Sequence, residues 1–271
     1  MRKPHNKRYT PDRKQHRPIN KKLKGDVHGE VVIGRRAVAE ILRYVPSDIE
    51  RLLVTNSEAT DRVLGDLCAT AKAAHIEIVA VRIDELTRIA GSESHQGIVA
   101  LLRPIQFATW QNILQIPETD PALVLLVDGV QDPQNFGAIL RTAECFGVAA
   151  VIWSRNRSSG ITPVVSKSAC GATRLLPLIE IANLRDSALK LREVGFWWVV
   201  ADGTPGAIDM RDFEFPKRTA LIVGSEGEGV QPLIRKEADF VVSIPMFGKI
   251  ESLNVAQATA VLLSEYRRQM S

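Results

Sequence analysis

The chain has 271 residues, 45% of them apolar and 24% charged, proportions that exclude a collagen-like, a largely disordered or a disulfide-framework protein. The clearest apolar run, Ala122 to Val127, falls far short of the roughly 18 residues that cross a bilayer. The basic N-terminus leads into no signal-peptide core, so a soluble cytoplasmic protein is expected. Cys68, Cys145 and Cys170 show no C-x-x-C spacing; neither a bridge framework nor a zinc site is suggested, and each is expected to be a small buried apolar residue.

The formal charge of +4 is unevenly placed. Residues 1 to 29 hold ten Lys or Arg against Asp12 and Asp26, a net of +8, so the remaining residues sum to −4. With three prolines, few apolar residues and no periodicity, this arm cannot bury enough surface to offset its chain entropy and is expected to be disordered. A flexible cationic arm gains by displacing counterions from a polyanion, which makes RNA or DNA the expected partner. No amphipathic pattern or lipidation signal directs it to a membrane.

From Gly34 a helical pattern runs through Ala37, Val38, Ile41, Leu42 and Val45, and Ile49 to Val54 reads as a strand. A second helix is expected from Thr60 as N-cap through Val63, Leu64, Leu67, Cys68 and Ala71. Strands at Ile76 to Val81 and Gly97 to Leu102, with a short helix near Asp84 to Ile89, complete a small α/β unit over residues 30 to 103. Residues 104 to 120, rich in proline at their edges, read as a linker with at most one helical turn. A second unit over 121 to 271 begins at Leu123 to Val127. Its further strands are expected near Ala149 to Trp153, Leu175 to Ile179, Phe196 to Val200, Thr219 to Val223 and Phe240 to Ile244, alternating with helices. Short apolar strands alternating with helices predict an α/β fold whose mostly parallel sheet is covered on both faces.

All five histidines precede residue 121, so a Ser/His/Asp triad or a His-ligated metal confined to the second unit is excluded, and no dense metal-ligand cluster is apparent. Three segments of that unit each follow a predicted strand, where open α/β sheets bind ligands. In Asp128 to Ala143, Asp132 followed by Pro133 starts a helix, with Asn135 in its first turn and Arg141 six residues on. In Gly224-Ser225-Glu226-Gly227-Glu228-Gly229, three glycines let the backbone approach a ligand, but the order is not the dinucleotide G-x-G-x-x-G and two carboxylates disfavour a pyrophosphate. In Ile244 to Ala256, Ser252 is a plausible N-cap and Asn254 then falls in the first turn. Taken singly, each is ordinary helix-start or turn chemistry.

Together, in this order and spacing, the three segments resemble the motifs of the SpoU (TrmH-like) class of RNA ribose 2′-O-methyltransferases. Residues 34 to 103, including His95-Gln96-Gly97-Ile98-Val99, resemble the small ribosomal-protein-like domain that precedes the catalytic domain in several members. The resemblance implies a SPOUT fold with a C-terminal trefoil knot, a homodimer, S-adenosylmethionine as cofactor and RNA as partner. The implied reaction is methyl transfer to a ribose 2′-hydroxyl, with guanosine of large-subunit rRNA expected and tRNA the alternative.

By the match, Asn135 and Arg141 occupy the family's Asn and catalytic Arg positions, Glu226 its active-site Glu, and Ser252 and Asn254 its polar catalytic positions. Gly224 falls in the loop that holds the cofactor, and Ile244, Met246 and Leu253 surround its adenosine. An isolated guanidinium stays protonated in proteins, so Arg141 is expected to grip a phosphate and stabilise charge on the 2′-oxygen, with Asn135 and Glu226 orienting it. The pattern departs from the family at Ala256 and Gln257. Two rivals remain: a noncatalytic RNA-binding factor on the same fold, and a nicotinamide-dependent oxidoreductase, against which the glycine order counts.

Overall fold

The computed structural model describes residues 30–55 and 61–271; the basic arm before residue 30 and the expected cap Thr60 lie outside the described residues. The first unit is built from β1 (Val31–Ile33), α1 (Arg35–Tyr44), β2 (Ile49–Thr55), α2 (Arg62–Ala73), β3 (Glu77–Val81), α3 (Ile83–Ala90) and β4 (Ile98–Leu102). Its four-stranded sheet has the order β1-β4-β2-β3, antiparallel except between β2 and β3. The apolar stripes of α1 (Val38, Ile41, Leu42) and α2 (Leu64, Cys68, Ala71) close on Leu52, Val54, Ile98 and Ala100. The N-cap of α2 is Asp61: its carboxylate accepts from the Leu64 amide at 3.2 Å and is bonded by Arg35. Those bonds hold its carboxyl below the usual aspartate range, the Leu64 amide contributing most.

The segment read as a linker holds one short helix, α4 (Trp110–Leu114), and does not stand free of the second unit. Ile113 is buried in that unit's core, and the Ala108 amide donates to the Leu178 carbonyl at 2.7 Å.

The second unit contains β5 (Ala122–Asp128), α5 (Pro133–Cys145), β6 (Ala150–Ser154), α6 (Pro163–Ala169), α7 (Ala172–Leu175), β7 (Leu178–Ile181) and α8 (Leu184–Glu193). It continues with β8 (Trp197–Ala201), β9 (Ile208–Asp209), β10 (Arg218–Gly224), α9 (Pro232–Glu237), β11 (Phe240–Ser243) and α10 (Val255–Met270). The seven strands, ordered β7-β6-β5-β10-β8-β11-β9, pair in parallel throughout. Leu123, Leu125 and Val127 face a core with α5 and α10, while Val124 and Leu126 face one with α8, which is why β5 is apolar at every position but its last. The strand expected at Leu175 to Ile179 begins three residues later. Gly171, at φ 92°, starts the turn of α7, and the chain becomes extended only from Leu176. β1 and β9 were not anticipated, since two or three residues carry no readable period. No helix among the described residues is long and apolar enough to cross a membrane.

From β5 the chain winds outward through β6 and β7 on one side, whereas β10 lies against β5 on the other. That reversal opens a crevice at the carboxyl ends of β5 and β10, where Asp128 and Gly224 are register partners. α5 is held over this end by close packing on α6: a Cβ on Gly137 would meet the Ser168 Cβ at 2.5 Å and the Val165 carbonyl at 2.7 Å.

The two units are joined by an ion cluster. Arg174 of α7, 2% exposed, donates to Glu30 Oε2 at 2.8 and 3.1 Å and to Asp48 Oδ2 at 3.3 Å. Arg174→Met keeps most of the apolar stem and leaves two carboxylates without their cation. A loss of about 2 kcal/mol is expected in urea unfolding, with looser docking of the first unit seen by small-angle scattering; an unchanged midpoint and profile would contradict it.

Candidate active site

Three chain segments meet above the crevice. The first enters α5, capped by Asp132, whose carboxylate accepts from the amides of Gln134 at 2.6 Å and Asn135 at 3.2 Å, with Pro133 at the first helical position. This places Asn135 in the first turn. The second segment is the loop leaving β10 at Gly224. The third descends from β11 to α10, and here the cap is Asn254 and not Ser252: Asn254 Oδ1 accepts from the amides of Ala256 at 2.9 Å and Gln257 at 3.4 Å.

The side chains of Asn135, Glu226 and Asn254 form a closed triangle. Asn135 Nδ2 donates to Glu226 Oε1 at 3.0 Å, Asn254 Nδ2 donates to the same oxygen at 2.6 Å, and Asn254 Nδ2 also reaches Asn135 Oδ1 at 2.9 Å. The backbone amide of Val255, at the start of α10, adds a 3.4 Å contact to Glu226 Oε1. A carboxylate at a helix N-terminus faces the positive end of the helix dipole, so one anionic group ties all three segments together.

Behind the triangle lies a cavity of about 330 Å³. Gly224, Ile244, Met246 and Leu253 all line it, as do Glu226 and Ser252. Val223, Val242 and Leu262 supply apolar wall, and Asp202 a polar corner, its carboxylate accepting from the Thr204 amide at 2.9 Å and from Arg235 Nη1 at 3.2 Å. A mostly apolar cavity with a few convergent polar groups suits a nucleoside-sized ligand.

Arg141 is directed elsewhere. It is exposed on α5, and its Nη1 donates to Cys170 Sγ at 3.4 Å, while Asn135 and Glu226 bond each other. The expectation that those two residues orient the guanidinium is therefore corrected: within one chain they orient each other and Asn254. Cys145 and Cys170 are exposed, contrary to the burial expected of them; Cys68 alone of the three is buried. Sequence reading also passed over Asp128, Arg157, Asp202 and Gln231. Asp128 carried a signal, being an acidic residue closing a strand that is otherwise wholly apolar.

The model of the SpoU rRNA Methylase family matches residues 122–264, and that of the RNA 2′-O ribose methyltransferase substrate-binding domain matches residues 31–108. The chain is 36% identical over 240 residues to the 23S rRNA (guanosine-2′-O-)-methyltransferase RlmB of Coxiella burnetii, covering 88% of this chain and 95% of the relative. It is 37% identical over 242 residues to the enzyme of the same name from Ralstonia nicotianae, covering 89% and 96%. The crystal structure of the SpoU methyltransferase AviRb from Streptomyces viridochromogenes in complex with AdoMet superimposes with a TM-score of 0.71 at 26% identity, over 88% of this chain and 89% of that one. With a family model over more than half its length and relatives of this identity along nearly all of it, the chain belongs to the SpoU rRNA methylase family.

Proposed function

We propose that this chain methylates the ribose 2′-hydroxyl of a guanosine in large-subunit ribosomal RNA, with S-adenosylmethionine as donor. The observation that carries the reading is the meeting of Asn135, Glu226 and Asn254, from three distant segments, at the edge of a cavity whose wall includes Gly224, Ile244, Met246 and Leu253. The names of the relatives supply the substrate class.

The residues present fit the cofactor. Ile244, Met246, Leu253 and Val242 offer apolar surface for an adenine, and Gly224, Gly227 and Gly229 let main-chain polar groups approach it. When bound, the cofactor supplies a methyl group on a positively charged sulfur, already electrophilic. The work of the chain is then to hold the 2′-oxygen in line and to meet its developing charge. Asn135, Glu226 and Asn254 fix the mouth of the cavity in one arrangement. Arg141 is the cation assigned to the RNA backbone, a planar fork of donors that suits a phosphate. Ser252 adds a hydroxyl at the cavity wall.

The homodimer, the C-terminal knot and a cytoplasmic location belong to the same reading. Phe247 and Ile250, 84% and 78% exposed beside the cavity residues Met246 and Glu251, offer apolar surface to a second copy.

Calorimetric titration with S-adenosylmethionine is expected to give a saturable heat, and sedimentation a dimer mass. Mapping of 2′-O-methyl groups in total RNA from a strain lacking the protein is expected to show one guanosine of large-subunit rRNA unmodified. No saturable heat would favour a noncatalytic RNA-binding factor, and a lost tRNA site would move the substrate to tRNA.

A further inference from the structure

Asp128 is the one buried acidic side chain among the described residues, and it does not line the cavity. A carboxylate withdrawn from water is tolerated only where donors and positive charge meet it. Here its Oδ2 accepts from the backbone amide of Gln231 at 2.8 Å and its Oδ1 from Gln231 Nε2 at 2.9 Å, while Arg157 Nε stands 3.5 Å from Oδ1. Gln231 precedes α9, at the point where the glycine-rich loop ends. The loop begins at Gly224, which lies opposite Asp128 in the β5–β10 register.

Both ends of segment 224–231 are thus fastened to a single residue, one through the sheet and the other through the carboxylate. Between the ends the loop closes on itself, Ser225 pairing with Gly229 and the Gly229 amide donating to the Ser225 carbonyl at 3.0 Å. At its tip Glu226 carries the contacts to Asn135 and Asn254. The sequence separation of 103 residues makes this a tertiary clamp and not a local turn.

We propose that Asp128 is a positioning residue: its carboxylate locks loop 224–231 so that Glu226 and the cavity wall keep one geometry. Oδ2 faces a main-chain N–H that cannot turn and Oδ1 faces Arg157 Nε beside Gln231 Nε2, so both positions must accept, which a carboxylate does and an amide does not. The consequence for turnover rests on the methyltransferase reading; the clamp itself does not.

Asp128→Asn preserves shape, but whichever way its amide lies the NH₂ faces a donor, either the Gln231 main-chain N–H or Arg157 Nε, and turning the Gln231 amide relieves neither. Amide hydrogen exchange over 224–231, measured without RNA or cofactor, is expected to quicken while β5 stays protected. Turnover is expected to fall by ~10²-fold, the scale set by a displacement of about 1 Å in a reacting group. Adding Gln231→Glu to Asp128→Asn reverses the polarity of the side-chain bond while the new amide's oxygen still accepts from the backbone N–H. Exchange protection and turnover are both expected to recover, which a merely destabilised chain would not do. Gln231→Met, which keeps the backbone bond alone, is expected to give intermediate exchange and turnover, and serves should the double variant not fold. Parental exchange and turnover in Asp128→Asn or in Gln231→Met, or a folded double variant as impaired as the single one, would overturn the proposal. If the exchange pattern follows Asp128 as described but no RNA is methylated by the parent, the function falls and the clamp stands.

Discussion

Arg141→Ala is expected to lower the methylation rate at saturating S-adenosylmethionine and RNA by about 10²–10³-fold, the usual cost of losing one donor aimed at developing negative charge. Cofactor affinity is expected to be unchanged. Arg141 lies six residues beyond Asn135 on α5, about 9 Å along the axis and about 120° around it, and it is absent from the cavity wall. It is exposed, and its recorded polar contact is the 3.4 Å bond to Cys170, so its removal should cost the fold little. Arg141→Lys keeps the charge but loses the planar fork, and should recover only part of the rate. Single-turnover kinetics beside calorimetry separate the two effects. A parental rate in Arg141→Ala would remove this residue from the chemistry, and a raised cofactor dissociation constant would move it into the binding site.

That Arg141 faces away from the Asn135–Glu226–Asn254 triangle bears on how much of the site could be read without coordinates. Features governed by neighbours in sequence were legible. The Asp132-Pro133 start of α5 is one, because a cap is satisfied within three residues. The continuous burial of β5 is another, because a strand covered on both faces is apolar at nearly every position. Choices made by distant partners were not legible. Ser252 and Asn254 are both good capping residues two positions apart, and the decision falls to Asn254, which Glu226 also engages from 28 residues away. The bond between Asp128 and Gln231 spans 103 residues and leaves no periodic trace. Cys170 is apolar by type yet exposed, since it ends α6 in the left-handed region at φ 50°, where the chain turns outward before α7. The shift of β7 has the same origin: a four-residue helix between Gly171 and Pro177 is too short to show a period.

Gly224 is the position where one added methyl group is expected to do most damage. An ideal Cβ there would fall inside van der Waals contact of the Gly229 carbonyl carbon and oxygen and of the Val230 amide nitrogen. All three are main-chain atoms, so no rotamer change relieves the overlap. They cannot retreat cheaply either, because Gly229 is bonded back to Ser225 and Gln231 is held by Asp128. Gly224→Ala is therefore expected to spread the loop, cost about 1–3 kcal/mol in stability as an overpacked site, and weaken S-adenosylmethionine binding at least about tenfold, or ~1.4 kcal/mol. Gly227 and Gly229 provide the contrast. Their φ angles of 90° and 68° penalise a side chain through the backbone, yet a Cβ at Gly227 meets nothing within 4 Å and one at Gly229 only Asp202 Oδ2 at 3.7 Å. Their alanine variants should lose about 1–2 kcal/mol and retain more of the affinity than Gly224→Ala. Denaturation and cofactor titration of the three variants decide the order; Gly224→Ala binding the cofactor as well as the parent would mean that the loop yields where its contacts require it to be rigid.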